Sequence, residues 1–338
     1  MKRLVCLALV AGLAQSSEHD RRHAIERGLQ FIYSTARDRK NFAEFGEDYL
    51  WCFFSLSAAS RDAAMRKMAL TMGKERAAVW LRDLSAAASD ARADQVADLA
   101  FGAYAAERLG FPDLSLKQRI RLAALRFPVE DYLAFDPARE PPPGDIPEAC
   151  EECFRHNPRG TTVCQRCGAR LTMRSRYGVW CDALITTYFG DRYGVTLGAP
   201  YEQVVRWLSA MRPYRGNDGG ANAEFYDTVY ALTHVVYTLD DYSLHRLSLP
   251  YEFTFLKTNM REAIAMHDGE LVGEFLDSLK ALGLKDRDHL VRTGIDYLLS
   301  TQNPDGSWGD PNAKDMYQRY HPTWTAIGGL MHYRWEHH

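Results

Sequence analysis

The sequence predicts an all-α protein, an α6/α6 toroid of six helical hairpins with one small cysteine-rich insertion. Three observations point there. Apolar residues recur at helical spacing through most of the 338 residues. Two stretches at opposite ends of the chain, AIERGLQFIYSTARD (24–38) and LVRTGIDYLLSTQNPD (290–305), match in pattern. Gly28-Leu29 aligns with Gly294-Ile295, Phe31-Ile32 with Tyr297-Leu298, and Ser34-Thr35 with Ser300-Thr301, as repeated hairpins do. The helices also come in two kinds. Charged amphipathic ones alternate with ones that are apolar on most faces, and a helix apolar all round is a buried one. Polar helices outside and apolar helices inside describe the toroid.

The composition fits a globular chain, with 46% hydrophobic and 25% charged residues. A net charge of -3 gives no basic excess, so nucleic acid is not an expected partner. The 12% of aromatic residues suit a ring-lined pocket and suit a large core equally well.

From the N-terminus, Lys2 and Arg3 precede an apolar stretch, Leu4 to Ala14, with Gly12 and Ala14 at signal-peptidase spacing. Residues 1–18 therefore read either as a secretory signal peptide or as an N-terminal helix. The stretch is too short to span a bilayer, and no other segment is a membrane-span candidate. The first part of the toroid is expected over 19–138 and the second over 176–338. The outer helices are expected near 20–36, 61–86, 115–134, 200–212, 251–267 and 287–302. The inner ones are expected near 46–58, 93–109, 176–190, 224–239, 270–282 and 321–334. Between the two parts, residues 139–175 hold a Pro-rich breaker and the cysteine cluster.

That cluster is Cys150, Cys153, Cys164 and Cys167, spaced C-x2-C-x10-C-x2-C. Two such knuckles place four thiolates around one tetrahedral Zn²⁺. Asn157-Pro158-Arg159-Gly160 reads as the turn between them, and Gly168 supplies the backbone freedom for the turn round the metal. The stretch resembles the short zinc-ribbon family: C-x-x-C, then Asn-Pro-x-Gly, then C-x-x-C-Gly-Ala-x-Leu. Four thiolates leave no open position, so this zinc is expected to be structural. If the protein is exported, two disulfides are the competing reading. Thiolate zinc favours a reducing compartment, such as the cytoplasm, and a signal peptide favours a periplasmic or secreted location.

GIDYLLSTQNPDGSWGD resembles the repeat of the terpene cyclase and protein prenyltransferase superfamily, an apolar helix followed by Gln and then Asp-Gly-x-Trp. Gln302, Asp305, Gly306, Ser307 and Trp308 carry it. Tyr214–Leu232 is a weaker copy, with Asp218-Gly219-Gly220. The resemblance implies the toroid, with these loops and the ribbon at the cavity mouth. Protein prenyltransferases also hold a catalytic zinc with an Asp and a Cys two residues apart and a His from a Tyr-His pair. Asp227 and Tyr320-His321 match those positions, but Val229 stands where the Cys belongs, which removes the basis for thiol activation.

Carboxylates and one imidazole gather near the starts of the inner helices: Glu47, Asp48, Asp94, Asp98, Asp182, Asp227, Glu270, Glu274 and His321. Carboxylates stabilise helix N-termini, which accounts for many of them, but a cation such as His321 is disfavoured there. Asp227 and His321 are therefore candidate ligands for a second metal, zinc or iron, with Asp182 or Cys181 as the third. His234 and Tyr230 are candidate catalytic or substrate-contacting residues, and a core histidine is the plain alternative for His234. Asp240-Asp241 resembles only part of the Asp-x-Asp-Asp motif of proton-initiated terpene cyclases, since Thr238 replaces its first Asp. The function expected is a metal-dependent enzyme acting at the toroid mouth on a hydrophobic or aromatic small molecule or a modified peptide. A non-catalytic toroid that binds a protein or peptide through the ribbon is the alternative, and a prenyl- or terpene-handling enzyme is a third reading.

Overall fold

The computed structural model describes residues 2–84, 91–153, 155 and 157–335, with side chains from residue 18 onward. Most of the segment read as a signal peptide thus lies outside the described side chains. The chain is all-α. Its helices are α1 (Lys2–Arg37), α2 (Arg39–Ala59), α3 (Ala63–Asp83), α4 (Ala93–Arg108), α5 (Leu114–Ala124) and α6 (Val129–Leu133). Two short strands follow, β1 (Ile146–Pro147) and β2 (Met173–Arg174). Then come α7 (Arg176–Tyr193), α8 (Tyr201–Val205), α9 (Phe225–Leu239), α10 (Pro250–Ala265), α11 (Gly269–Ala281), α12 (His289–Thr301) and α13 (Tyr317–Leu330). No helix among the described residues is long and apolar enough to cross a membrane.

Every helix expected from the sequence has a counterpart, and the differences have local causes. The outer helix expected over 115–134 breaks into α5 and α6 because Pro128 lacks the N–H that would continue it; Pro128 becomes the N-cap of α6. The one expected over 200–212 shortens to α8 and a 3-10 turn over Arg206–Met211. Helix α2 is kinked at Phe45 (φ -129°, ψ 24°), so its buried second half starts where the sequence placed the inner helix.

The chain divides into two compact units. One comprises Met1–Arg76 with Ser243–His338, and the other Ala77–Tyr242. In the first, α11 packs on α13, α13 on α1, and α10 and α12 on α11. Its core includes Leu29, Ile32, Phe53, Phe275 and Ile327. The Gln-x-x-Asp-Gly-Ser-Trp stretch ties this unit together. Trp308 is buried, and its indole N–H donates to Leu298 O at 2.8 Å. Gln302 Nε2 reaches Ala24 O on α1 at 2.8 Å, and Asp305 pairs with Arg319 of α13. Gly306, at φ +92°, lies so close to α1 that a Cβ there would meet Arg27 O at 2.6 Å. The motif is a clasp joining α1, α12 and α13.

In the second unit α7 is central, packing on α4, α6, α8 and α9. The cysteine module belongs to this unit. Its flanks pair as β1 and β2, antiparallel, with Ile146 opposite Arg174 and Pro147 opposite Met173. The second Asp-Gly-Gly copy forms a 3-10 turn held by Asn222 Nδ2, which donates to Arg215 O and Gly216 O at 3.2 and 3.0 Å.

Candidate metal centres

Among the described residues, two groups of three or more side chains can hold a metal ion: the four cysteines, and Glu270 with Glu274 and His321.

The cysteine module builds its site locally. The amide of Cys150 bonds Arg155 O at 3.0 Å and that of Cys164 bonds Ala169 O at 2.7 Å, closing each knuckle. Gly160 and Gly168 take the positive φ of the two turns, +79° and +77°. Cys150 Sγ lies 3.4 Å from Cys167 Sγ, and Cys153 Sγ lies 3.6 Å from Cys164 Sγ. A disulfide needs ~2.05 Å. Two thiolates on one tetrahedral Zn²⁺ with ~2.3 Å bonds stand roughly 3.8 Å apart, so this spacing is that of metal ligands. The Cys167 and Arg166 amides lower the Cys164 thiol, while hydrogen bonding among the four sulfurs raises Cys167 and burial raises Cys153, so the four thiols titrate as a coupled set.

The second group is assembled from α11 and α13. Glu270 and Glu274 are one turn apart on α11 and share its face; His321 is in the second turn of α13. Glycine brings the two helices together. Gly273 sits between the glutamates, and a Cβ there would meet Thr325 C and O of α13 at 2.5 Å. Gly329 lies against Gly273 in turn, its built Cβ 3.0 Å from Gly273 Cα. The helix-capping role expected for these carboxylates is filled by Asp268, whose side chain accepts from the Glu270 and Leu271 amides at 3.0 Å. Glu270 is left to reach across to His321, Oε1 to Nδ1 at 2.7 Å.

The surroundings of His321 are acidic and aromatic. Glu270 and His321 are each 9% exposed and Glu274 is 1% exposed. Burial disfavours the imidazolium, but Glu270, Glu274 and Asp48 more than offset this and raise the His321 pKa to about 9. Loss of hydration raises the Asp48 carboxyl above its ordinary range, and Asp48 accepts a hydrogen bond from Tyr320. Tyr317 stacks on the imidazole with centroids 4.7 Å apart, and Trp324 meets it edge-on at 5.9 Å. Phe45 and Tyr49 pack on Tyr320 at 5.2 and 4.7 Å.

Asp227, Asp182, Cys181, His234 and Tyr230 lie in the second unit and join neither group among the described residues; Glu47 and Asp48 lie in the first unit and are in neither group. Asp227 accepts from Ser175 Oγ at 2.6 Å; the same Ser175 caps α7 by accepting from the Gly178 amide. Asp182 pairs with Arg174 Nη1 at 2.7 Å, and Cys181 is buried beside it in the chain. Asp227, Ser175, Arg174 and Asp182 thus tie strand β2 of the cysteine module to α7 and α9. His234 Nδ1 bonds the Tyr230 carbonyl at 2.8 Å, a one-turn contact within α9. Tyr226, Tyr230 and His234 stack in a ladder at 5.0 and 5.6 Å. Asp241, half of the Asp-Asp pair, accepts from Tyr188 and pairs with Arg192 at 3.1 Å.

His321 was legible from its Tyr-His context. Its partners were not, because an N-terminal carboxylate reads first as a cap. The available signal was the Glu270–Glu274 spacing of four residues, the one that lets two side chains of a helix share an ion. Comparison with protein-family models and with curated proteins yields no match for this chain.

Proposed function

We propose that the chain is a metal-dependent enzyme whose ion is held by Glu270, Glu274 and His321. One observation carries this reading: three buried side chains from two helices present ligand atoms all within 4.8 Å of one another. Two carboxylates and an imidazole form a ligand set suited to Zn²⁺, Fe²⁺ or Mn²⁺. Three protein ligands leave a position open, and a divalent ion there supplies an activated water or a polarised substrate oxygen at neutral pH. The protein's part is distinct. Gly273 fixes the helix spacing and Tyr317 stacks the imidazole in place. Tyr320 donates a hydrogen bond to Asp48 beside it. The rings of Phe45, Tyr317 and Trp324 favour a substrate with an apolar or aromatic body. The sulfur spacing of the cysteine module supports a structural Zn²⁺ there, with no coordination site left for substrate. The closed α6/α6 toroid belongs to this proposal and rests on the helix order.

The test is metal content per chain, by mass spectrometry, of protein purified without added metal. The wild type should carry two ions, and Glu270→Gln with Glu274→Gln should carry one. One ion in both proteins would remove the basis of the enzyme reading.

A further inference from the structure

A second feature of the first unit lies on residues outside the metal group. Lys280, at the end of α11, is 4% exposed, and its Nζ donates to Gly329 O and Met331 O at 2.8 Å each. It caps the carbonyl end of α13, where a cation is favoured. Above it opens a cavity of about 210 Å³, lined among others by Arg61, Arg246, Lys280, Lys285 and Asp286. The charges there do not balance. Asp286 is already engaged, by Arg21 Nη1 at 2.7 Å and by His332 Nδ1 at 3.0 Å. Arg61, Arg246 and Lys285 have no carboxylate partner among the described residues. Arg246 is held over the Trp335 ring, its guanidinium carbon 5.5 Å from the centroid.

Like charges that converge on one concavity repel one another, and an anion seated between them removes that repulsion. Two guanidinium groups give the forked donors that match phosphate oxygens, and Lys285 adds a point charge. The size selects among anions. A cavity of about 210 Å³ is small beside the several hundred Å³ of a site for a drug-sized ligand. Arg61, Met331 and His332 also border a larger cavity of about 540 Å³, with Ile25 and Met65 in its wall. An organic group attached to the anion has room there.

The geometry points to a phosphate-binding site formed by Arg61, Arg246 and Lys285 above the Lys280 cap, which takes inorganic phosphate or the phosphate of a small monoester. Its residues are distinct from the Glu270 group, so the two readings stand or fall separately.

Inorganic phosphate is titrated into the full chain by calorimetry at constant ionic strength, with chloride replaced ion for ion. The protein carries Glu270→Gln, so that phosphate on a metal at that group is not read. Saturable binding at one site, with a Kd on the order of 1 mM or tighter, is expected. Arg246→Gln and Lys285→Gln should each weaken it by at least about tenfold. Both side chains are exposed, so circular dichroism should show unchanged helix content in the variants. Absence of saturable heat overturns the site, as does binding that both variants retain. A heat that an equal concentration of chloride reproduces also overturns it, because it reports screening alone.

Discussion

Cys150 and Cys167 are 17 positions apart and are brought together by two turns, whereas Glu270 and His321 are 51 positions apart and meet only because α11 packs on α13. The first cluster has almost no core of its own. Cys150, Cys164 and Leu171 are its buried residues, with Cys153, Ala169 and Met173 packed around them. The second is surrounded by a large one. In a small module with so little apolar surface the ion contributes the folding free energy itself. In a packed helix pair the protein is already folded, and the ion finds ligands that packing has placed. The two clusters should therefore respond in opposite ways when an ion or a ligand is removed.

The largest effect is expected at the cysteines. Structural zinc in modules of this size contributes about 10–16 kcal/mol of apparent binding free energy at neutral pH, more than the module's own contacts can replace. Cys164→Ser should unfold residues 148–172 locally while the helices remain. Hydrogen exchange should show fast exchange of the Cys164 and Leu171 amides, which are hydrogen-bonded in the folded module, with little change in far-ultraviolet circular dichroism. If those amides stay protected in the variant, the module is held by something other than the ion, and the contrast fails.

How much was legible in the sequence follows the same division. The cysteine spacing is local, so four candidate ligands, their turns and the two glycines were all readable from 22 consecutive residues. Helix positions were readable because the 3.6-residue period is local too. The kink at Phe45 lies next to the expected start of the inner helix, whereas the break at Pro128 falls inside the helix expected over 115–134. The partners of His321 were not readable. Which helices touch depends on small residues meeting across a crossing, and nothing in the chain near Gly273 announces that Thr325 will lie against it. The Trp308 motif was recognised as a repeat, but its work as a clasp on Ala24 and Arg319 needed three helices in place. Asp227, matched by position to a ligand, accepts a hydrogen bond from Ser175 and links it to α9, a contact that only the folded chain reveals.

A smaller effect sharpens the point about packing. Gly273→Val should push α11 from α13, since even a Cβ lies 2.5 Å from Thr325 backbone atoms. Overpacking of this kind costs about 1–3 kcal/mol. The variant should melt at lower temperature and lose the ion of the Glu270 group while keeping the one at the cysteines, as metal analysis after gel filtration would show. Loss of both ions would mean that the two clusters are not independent.

The last effect is one of pH, and it separates imidazole from thiolate. In protein dialysed to one ion per chain, at the cysteines, His321 has a pKa of about 9 against 6.5 for the free side chain. Between those values the folded state binds the extra proton, so protonation favours folding. That stability is fully present below about 6.5 and is lost as pH rises through 9, and at ~1.4 kcal/mol per unit it amounts to about 3 kcal/mol at most. The urea midpoint of this form should fall between about pH 7 and 9.5, and His321→Gln should flatten the slope. Reloading the Glu270 group should flatten it as well, because an imidazole that binds a metal gives up the proton whose loss the slope measures. A slope that survives reloading would show that the ion does not use His321, and would leave the group as a buried ion pair.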